Sequence, residues 1–173
     1  MMYNDLPPVP QTGIEPLKLP HDQEQRLLNR RRKADQFDPF ATDPNDEIRH
    51  VGRLALRRDM PHAHDYLALG DLCAQESLLE DERRLLVYYV GKVLYAYRRA
   101  EELANEDSPA YEVAGMAIEA YVRWLVSVTR VVPARRNIAV TLWAIAEVAE
   151  EGREIEGLAD EGQVLALLSL IHI

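Results

Sequence analysis

Apolar positions along most of this chain recur at alternating spacings of three and four, which marks helices that each bury one face. The longest such face is carried by Leu86, Val90, Val93, Tyr97, Ala100 and Ala104, and it predicts a helix over 80–105. Upstream, Ile48, Val51 and Ala55 turn inward on a helix that Asp43 caps and Pro44 opens, running to about Arg58. Pro61 begins the next helix, which reaches about Gln75. Helices over 109–131 and 133–155 each place a proline in the first turn, and a last one starts near Leu158. A shorter helix over 22–35 sets Leu27 and Leu28 inside and Arg30–Lys33 outside, ahead of a loop at Asp38–Asp43. Residues 1–20 hold Pro7, Pro8, Pro10, Pro16 and Pro20 with little to bury and read as an extended or disordered arm, assigned as disordered over 1–21. The fold class expected is all-α, with one helical domain over 22–167.

Two stretches of the chain match each other at a displacement of 45 residues. Arg53, Ala55, Tyr66 and Gly70 recur as Arg98, Ala100, Tyr111 and Gly115. Self-similarity at a fixed period marks stacked helical units, none of which buries its apolar face alone. The segments Tyr66-Leu-Ala-Leu69-Gly70-Asp-Leu-Cys73 and Tyr111-Glu-Val-Ala114-Gly115-Met-Ala-Ile118 resemble the first helix of a tetratricopeptide repeat. Val93, Tyr97 and Ala100 resemble its second helix, with a small residue, an aromatic and an alanine at the family's spacing. That family's repeat is about 34 residues, so this one carries eleven more, close to three whole turns with about 20° of drift. An insertion of that size keeps an apolar face in phase and predicts a lengthened second helix over 80–105. Armadillo-type and HEAT-type repeats, with periods nearer about 40–47, remain alternatives.

The resemblance implies roles. Ala55, Tyr66, Gly70, Ala100, Tyr111 and Gly115 become packing positions, with both glycines at close helix contacts and both tyrosines buried. The family's first helices line a concave surface, which places His64, Leu67, Asp71 and Gln75 toward a groove, joined by Glu112, Met116 and Glu119. The family's clamp for acidic chain termini needs Lys and Asn where Leu67, Asp71, Glu112 and Met116 stand here. A basic or apolar peptide or protein suits these residues better. The function expected is a non-catalytic adaptor or scaffold presenting a helical groove.

Charge sharpens that expectation. Residues 1–60 carry ten basic and ten acidic side chains, and 61–173 carry ten and nineteen, so the helical part holds the whole net charge of −9. Glu147, Glu150, Glu151, Glu154, Glu156, Asp160 and Glu161 read as a solvated acidic face. An acidic body disfavours duplex nucleic acid, whose phosphates need neutralising cations. The alternative function is a nucleic-acid-binding or regulatory helical domain using a stripe of Arg84, Tyr88, Lys92, Tyr95 and Arg99, with Arg30–Lys33 in support. Trp143 and Val140 lie on the charged side of helix 133–155, an edge that a neighbour covers or through which copies self-associate.

Catalytic chemistry is thinly represented. The chain has no Gly-x-Gly pair, phosphate loop or nucleophile elbow, and no enzyme activity or cofactor is expected. His62 and His64, two apart at a helix start, point to different sides and make a poor metal site. Arg57-x4-His62 has the spacing of a ribonuclease motif, but Pro61 interrupts the helix such a motif needs. Cys73, the single cysteine, reads as a buried small hydrophobe. The most apolar run, Leu85–Val90, is six residues long, against about 20 needed to span a bilayer. A cytoplasmic location fits these features. Leu168–Ile173 resembles an in-frame translation of a sequencing-library adapter end, so 168–173 reads as a non-native tail, beyond which the natural protein would continue.

Overall fold

The computed structural model describes residues 8–29, 38–58, 60–79 and 83–131. Among them stand five α-helices and no strand: α1 His21–Asn29, α2 Asp46–Arg57, α3 Ala63–Leu79, α4 Arg83–Leu103 and α5 Pro109–Val131. Helices expected over 133–155 and from Leu158, the tail 168–173, Val140, Trp143, the acidic run and Arg30–Lys33 lie outside the described residues. So do the side chains of Arg84, Leu86 and Tyr88. No helix among the described residues is long and apolar enough to cross a membrane.

Each helix packs on its neighbour in sequence, α3 and α4 most extensively, and α5 also reaches back to α3. Gly70 meets Tyr97 while Tyr66 lies under Arg99, so residue numbers rise along α3 as they fall along α4. The two helices are therefore antiparallel arms of one hairpin, joined across 80–82. Leu67, Leu69, Val90, Val93, Tyr97 and Tyr121 form the centre of its core. α4 has 21 residues within the 80–105 expected for it, and is about one turn longer than α3 with its 17. α3 itself continues past Gln75 to Leu79, leaving only a short connection.

Asn45, not Asp43, caps α2. Its side-chain oxygen accepts from the N–H groups of Glu47 at 2.9 Å and Ile48 at 3.1 Å. Asp43 acts one step earlier: its carboxylate accepts the Asn45 N–H at 2.9 Å and the Tyr89 hydroxyl at 3.3 Å, fully buried. Ile48, Val51 and Ala55 face inward, as their spacing requires.

The two copies of the internal match fold differently. A Cβ on Gly70 would stand 2.2 Å from Cε1 of Tyr97, so the absence of a side chain lets that ring lie directly on α3. Tyr66, Ala55 and Ala100 are buried beside it. A Cβ on Gly115 would meet only the carboxylate end of Glu101 at 3.3 Å, and Tyr111 is half-exposed. Close packing thus belongs to the first copy alone. α5 is anchored instead by Tyr121, whose buried hydroxyl bonds Ser77 Oγ on α3 at 2.8 Å while Trp124 stacks on its ring at 5.7 Å. Sequence spacing did not single out either residue.

Candidate functional site

The clearest constellation lies on α3, and the chain fills it with its own residues. Asp71 is buried in the middle of the helix. Its carboxylate accepts the Thr12 N–H at 2.9 Å, the Thr12 hydroxyl at 2.8 Å, the Gly13 N–H at 3.0 Å and the Tyr97 hydroxyl at 2.7 Å. Bonds to an ionised acceptor are about twice as strong as neutral ones, and here they fill both oxygens. The Thr12 hydroxyl also accepts from the Ile14 N–H at 3.2 Å, which folds the segment at this point. Gln11 donates from its amide to the Asp71 carbonyl at 3.1 Å and accepts from Gln75 at 2.8 Å. Gly13 has φ of 72° with nothing within 4 Å of its missing side chain, so conformation rather than space calls for glycine.

A second clamp lies one and a half turns back along α3. Asp65, in the first turn, accepts the Leu17 N–H at 3.0 Å and pairs with Arg58 Nε at 2.5 Å. The Arg58 guanidinium also donates to the Leu17 carbonyl. Both backbone groups of Leu17 are thus met by the two members of one buried ion pair. Of the arm expected to be extended or disordered, residues 8–20 form an extended strap along α3, with Val9 and Ile14 packed against the core. Prolines 10, 16 and 20 remove donors but leave a backbone without internal ladder bonds, free to be bound by another element. Replacing Asp71 by Asn keeps the shape but turns one acceptor oxygen into an NH2 donor, so the N–H of either Thr12 or Gly13 loses its acceptor and the remaining bonds become neutral. The strap should loosen by about 1–3 kcal/mol. Hydrogen exchange at Thr12 and Gly13 checks this, and unchanged protection would mean the carboxylate charge is irrelevant.

The expected groove residues are redistributed by this arrangement. Leu67 is fully buried and offers nothing to a ligand, because it belongs to the hydrophobic core. Asp71 and Gln75 hold the strap, and His64 is half-buried at the start of α3. On α5, Glu112 is exposed, and Glu119 pairs with Arg123 at 2.6 Å. Met116 is 62% exposed. With Pro10, Thr12, Tyr97, Val113 and Ala117 it lines an apolar cleft of about 230 Å³ between the strap and α5.

Of the aromatic and basic stripe of α4, the described side chains Lys92, Tyr95 and Arg99 each make ring contacts within the chain. Lys92 Nζ stands 5.8 Å over the ring of Phe40, Tyr95 lies 6.1 Å from the same ring, and Arg99 stands 6.0 Å over Tyr66. Burial under the 38–43 loop pushes the Lys92 ammonium below its ordinary pKa, with Cys73 and Asp43 opposing. Tyr95 is nonetheless 42% exposed.

The two histidines meet after all. Their rings lie edge to face with centroids 4.7 Å apart, because His62 precedes the first residue of α3 and helical spacing does not govern it. Burial, then the proximity of His64, lowers the His62 pKa. No group of three or more His, Cys, Asp or Glu is disposed to hold a metal ion among the described residues. Cys73 is fully buried, and burial pushes its thiol far above the ordinary range. It should resist iodoacetamide in the native chain and react fully in urea, as mass spectrometry would show. Native alkylation at a rate like that of a free thiol would contradict this burial.

Comparison with family models, curated proteins and solved structures found no match to this chain.

Proposed function

We propose that this chain is a non-catalytic interaction module, a tetratricopeptide-like helical scaffold whose α3–α5 face receives an extended peptide or protein segment. One observation carries the reading. Asp71 and Asp65 of α3, with Arg58 at the end of α2, already hold an extended segment by its backbone rather than by packing alone. Hydrogen bonds to the backbone, with pockets beside them for side chains, are one recurring way in which extended peptides are bound. The open cleft at Met116 takes an apolar side chain, and exposed Glu112 with the net charge of −9 favours basic flanks over acidic ones. Lys92 and Arg99 of the stripe already stand over Phe40 and Tyr66, which makes nucleic acid the weaker reading.

The test displays arrayed twelve-residue peptides, basic-apolar and acidic, to the full chain and to its Met116→Glu variant. Basic-apolar peptides should be retained by the parent and lost by the variant, which places a charge at the mouth of the cleft. Retention of no peptide, or retention indifferent to Met116→Glu, would remove the reading.

A further inference from the structure

The segment 9–14 is read by the rest of the chain position by position. Val9 and Ile14 pack against the core. The Gln11 amide bonds the main chain of α3 at Asp71 and the side chain of Gln75. Thr12 gives both its N–H and its hydroxyl to the Asp71 carboxylate, and Gly13 adds a further N–H from a left-handed conformation. Any covered segment needs acceptors for its N–H groups, but the Thr12 hydroxyl, the Gln11 amide and the positive φ of Gly13 tie these contacts to particular residue types. The strap has no secondary structure of its own, and α1, which follows it, contributes no buried residue. Segments of this kind sit at the low end of local stability and open without unfolding the core.

We propose that residues 9–14 are a resident ligand, and that their site accepts in their place an extended segment of another protein with the same grammar. That grammar is an apolar residue, any residue, Gln, Thr or Ser, Gly, then an apolar residue. The proposal rests on the reading of α3 as a peptide-binding face. Each position follows from a contact. Two successive N–H groups must converge on Asp71, which requires the turn at Thr12 and the positive φ at Gly13. The hydroxyl must be short, since it reaches Asp71 Oδ2 at 2.8 Å while accepting from Ile14. An acidic side chain or a phosphate at the threonine position would face the buried carboxylate and be repelled. The resident copy competes at the high effective concentration of a tethered segment, so an outside ligand binds well only when the strap is weakened or the ligand is abundant.

A labelled peptide with the sequence of residues 8–19 tests this against the full chain and its Gly13→Val variant. Valine at φ of 72° strains the resident segment, whereas the added peptide keeps its glycine. The peptide should bind the variant about tenfold more tightly than the parent. Its own Gly→Val and Thr→Asp versions should bind the variant about tenfold more weakly. Binding no better than to the parent, or no better than a scrambled peptide, would overturn the grammar. If the variant instead retains basic-apolar peptides of unrelated sequence, the grammar fails while the peptide-binding face stands. If its strap amides exchange freely yet no peptide binds, both fail. Should the variant not fold, hydrogen exchange on the parent decides. Excess peptide should speed exchange at Thr12 and Gly13 of the chain, and no acceleration would overturn the proposal.

Discussion

Arg58→Ala is expected to destabilise the chain by about 3–5 kcal/mol, the usual cost of removing one partner from a buried ion pair. The Arg58 and Asp65 side chains are 7% and 1% exposed, so water cannot replace the lost guanidinium. Asp65 would be left as a buried charge with the Leu17 N–H as its remaining strap contact, and the Leu17 carbonyl would lose its donor. Two controls separate the causes. Arg58→Lys keeps a charge but not the fork that meets Asp65 and Leu17 together, so it should recover only part of the loss. Adding Asp65→Asn to Arg58→Ala removes the stranded charge and should recover more. Urea unfolding measures all of these. A cost for Arg58→Ala under about 1 kcal/mol is what a solvated surface pair gives, and would show that the pair is not buried in solution.

Gly70→Leu should cost about 1–3 kcal/mol through overpacking, despite a helix propensity better than glycine's by nearly 1 kcal/mol. A Cβ here would lie 2.2 Å from the Tyr97 ring, well inside contact distance. The ring has little freedom to yield, because it is 1% exposed and its hydroxyl is tied to Asp71 at 2.7 Å. Displacing it would also disturb the carboxylate that holds the strap, so strap amides should lose protection together with global stability. Gly115→Leu is the internal comparison. Only the flexible end of Glu101 stands near, and that substitution should be close to neutral. Equal costs at the two glycines would mean that the internal match is structurally real in both copies. A neutral or stabilising Gly70→Leu would mean that the α3–α4 contact is looser than described.

The contrast between the two glycines shows how far the residue pattern reached. The stripe Val90, Val93, Tyr97 and Ala100 was legible because a helix buries one face whatever it packs against, and all four residues are buried. The hairpin of α3 and α4 and the start of α5 at Pro109 were legible for the same local reason. Leu67 was misplaced toward a ligand because a motif assigns faces by analogy, whereas burial depends on which neighbour lies across from each face. The second copy matched Tyr111 and Gly115 in letters only. What decides whether a glycine is needed is an aromatic opposite it, and Gly115 has none within 4 Å.

What the sequence by itself determined is helix number over the described residues and the inward faces of α2 and α4, since periodicity and proline placement act within a few residues. What only the tertiary structure decided is every contact made across long separations. Asp71 meets Thr12 across 59 residues, Arg58 meets Leu17 across 41, and Tyr121 meets Ser77 across 44. The strap had no local signal, because an extended segment rich in proline looks the same whether water or a buried carboxylate receives its N–H groups. Its order depends on polar partners that another element must place, and no property of residues 8–20 alone contains them.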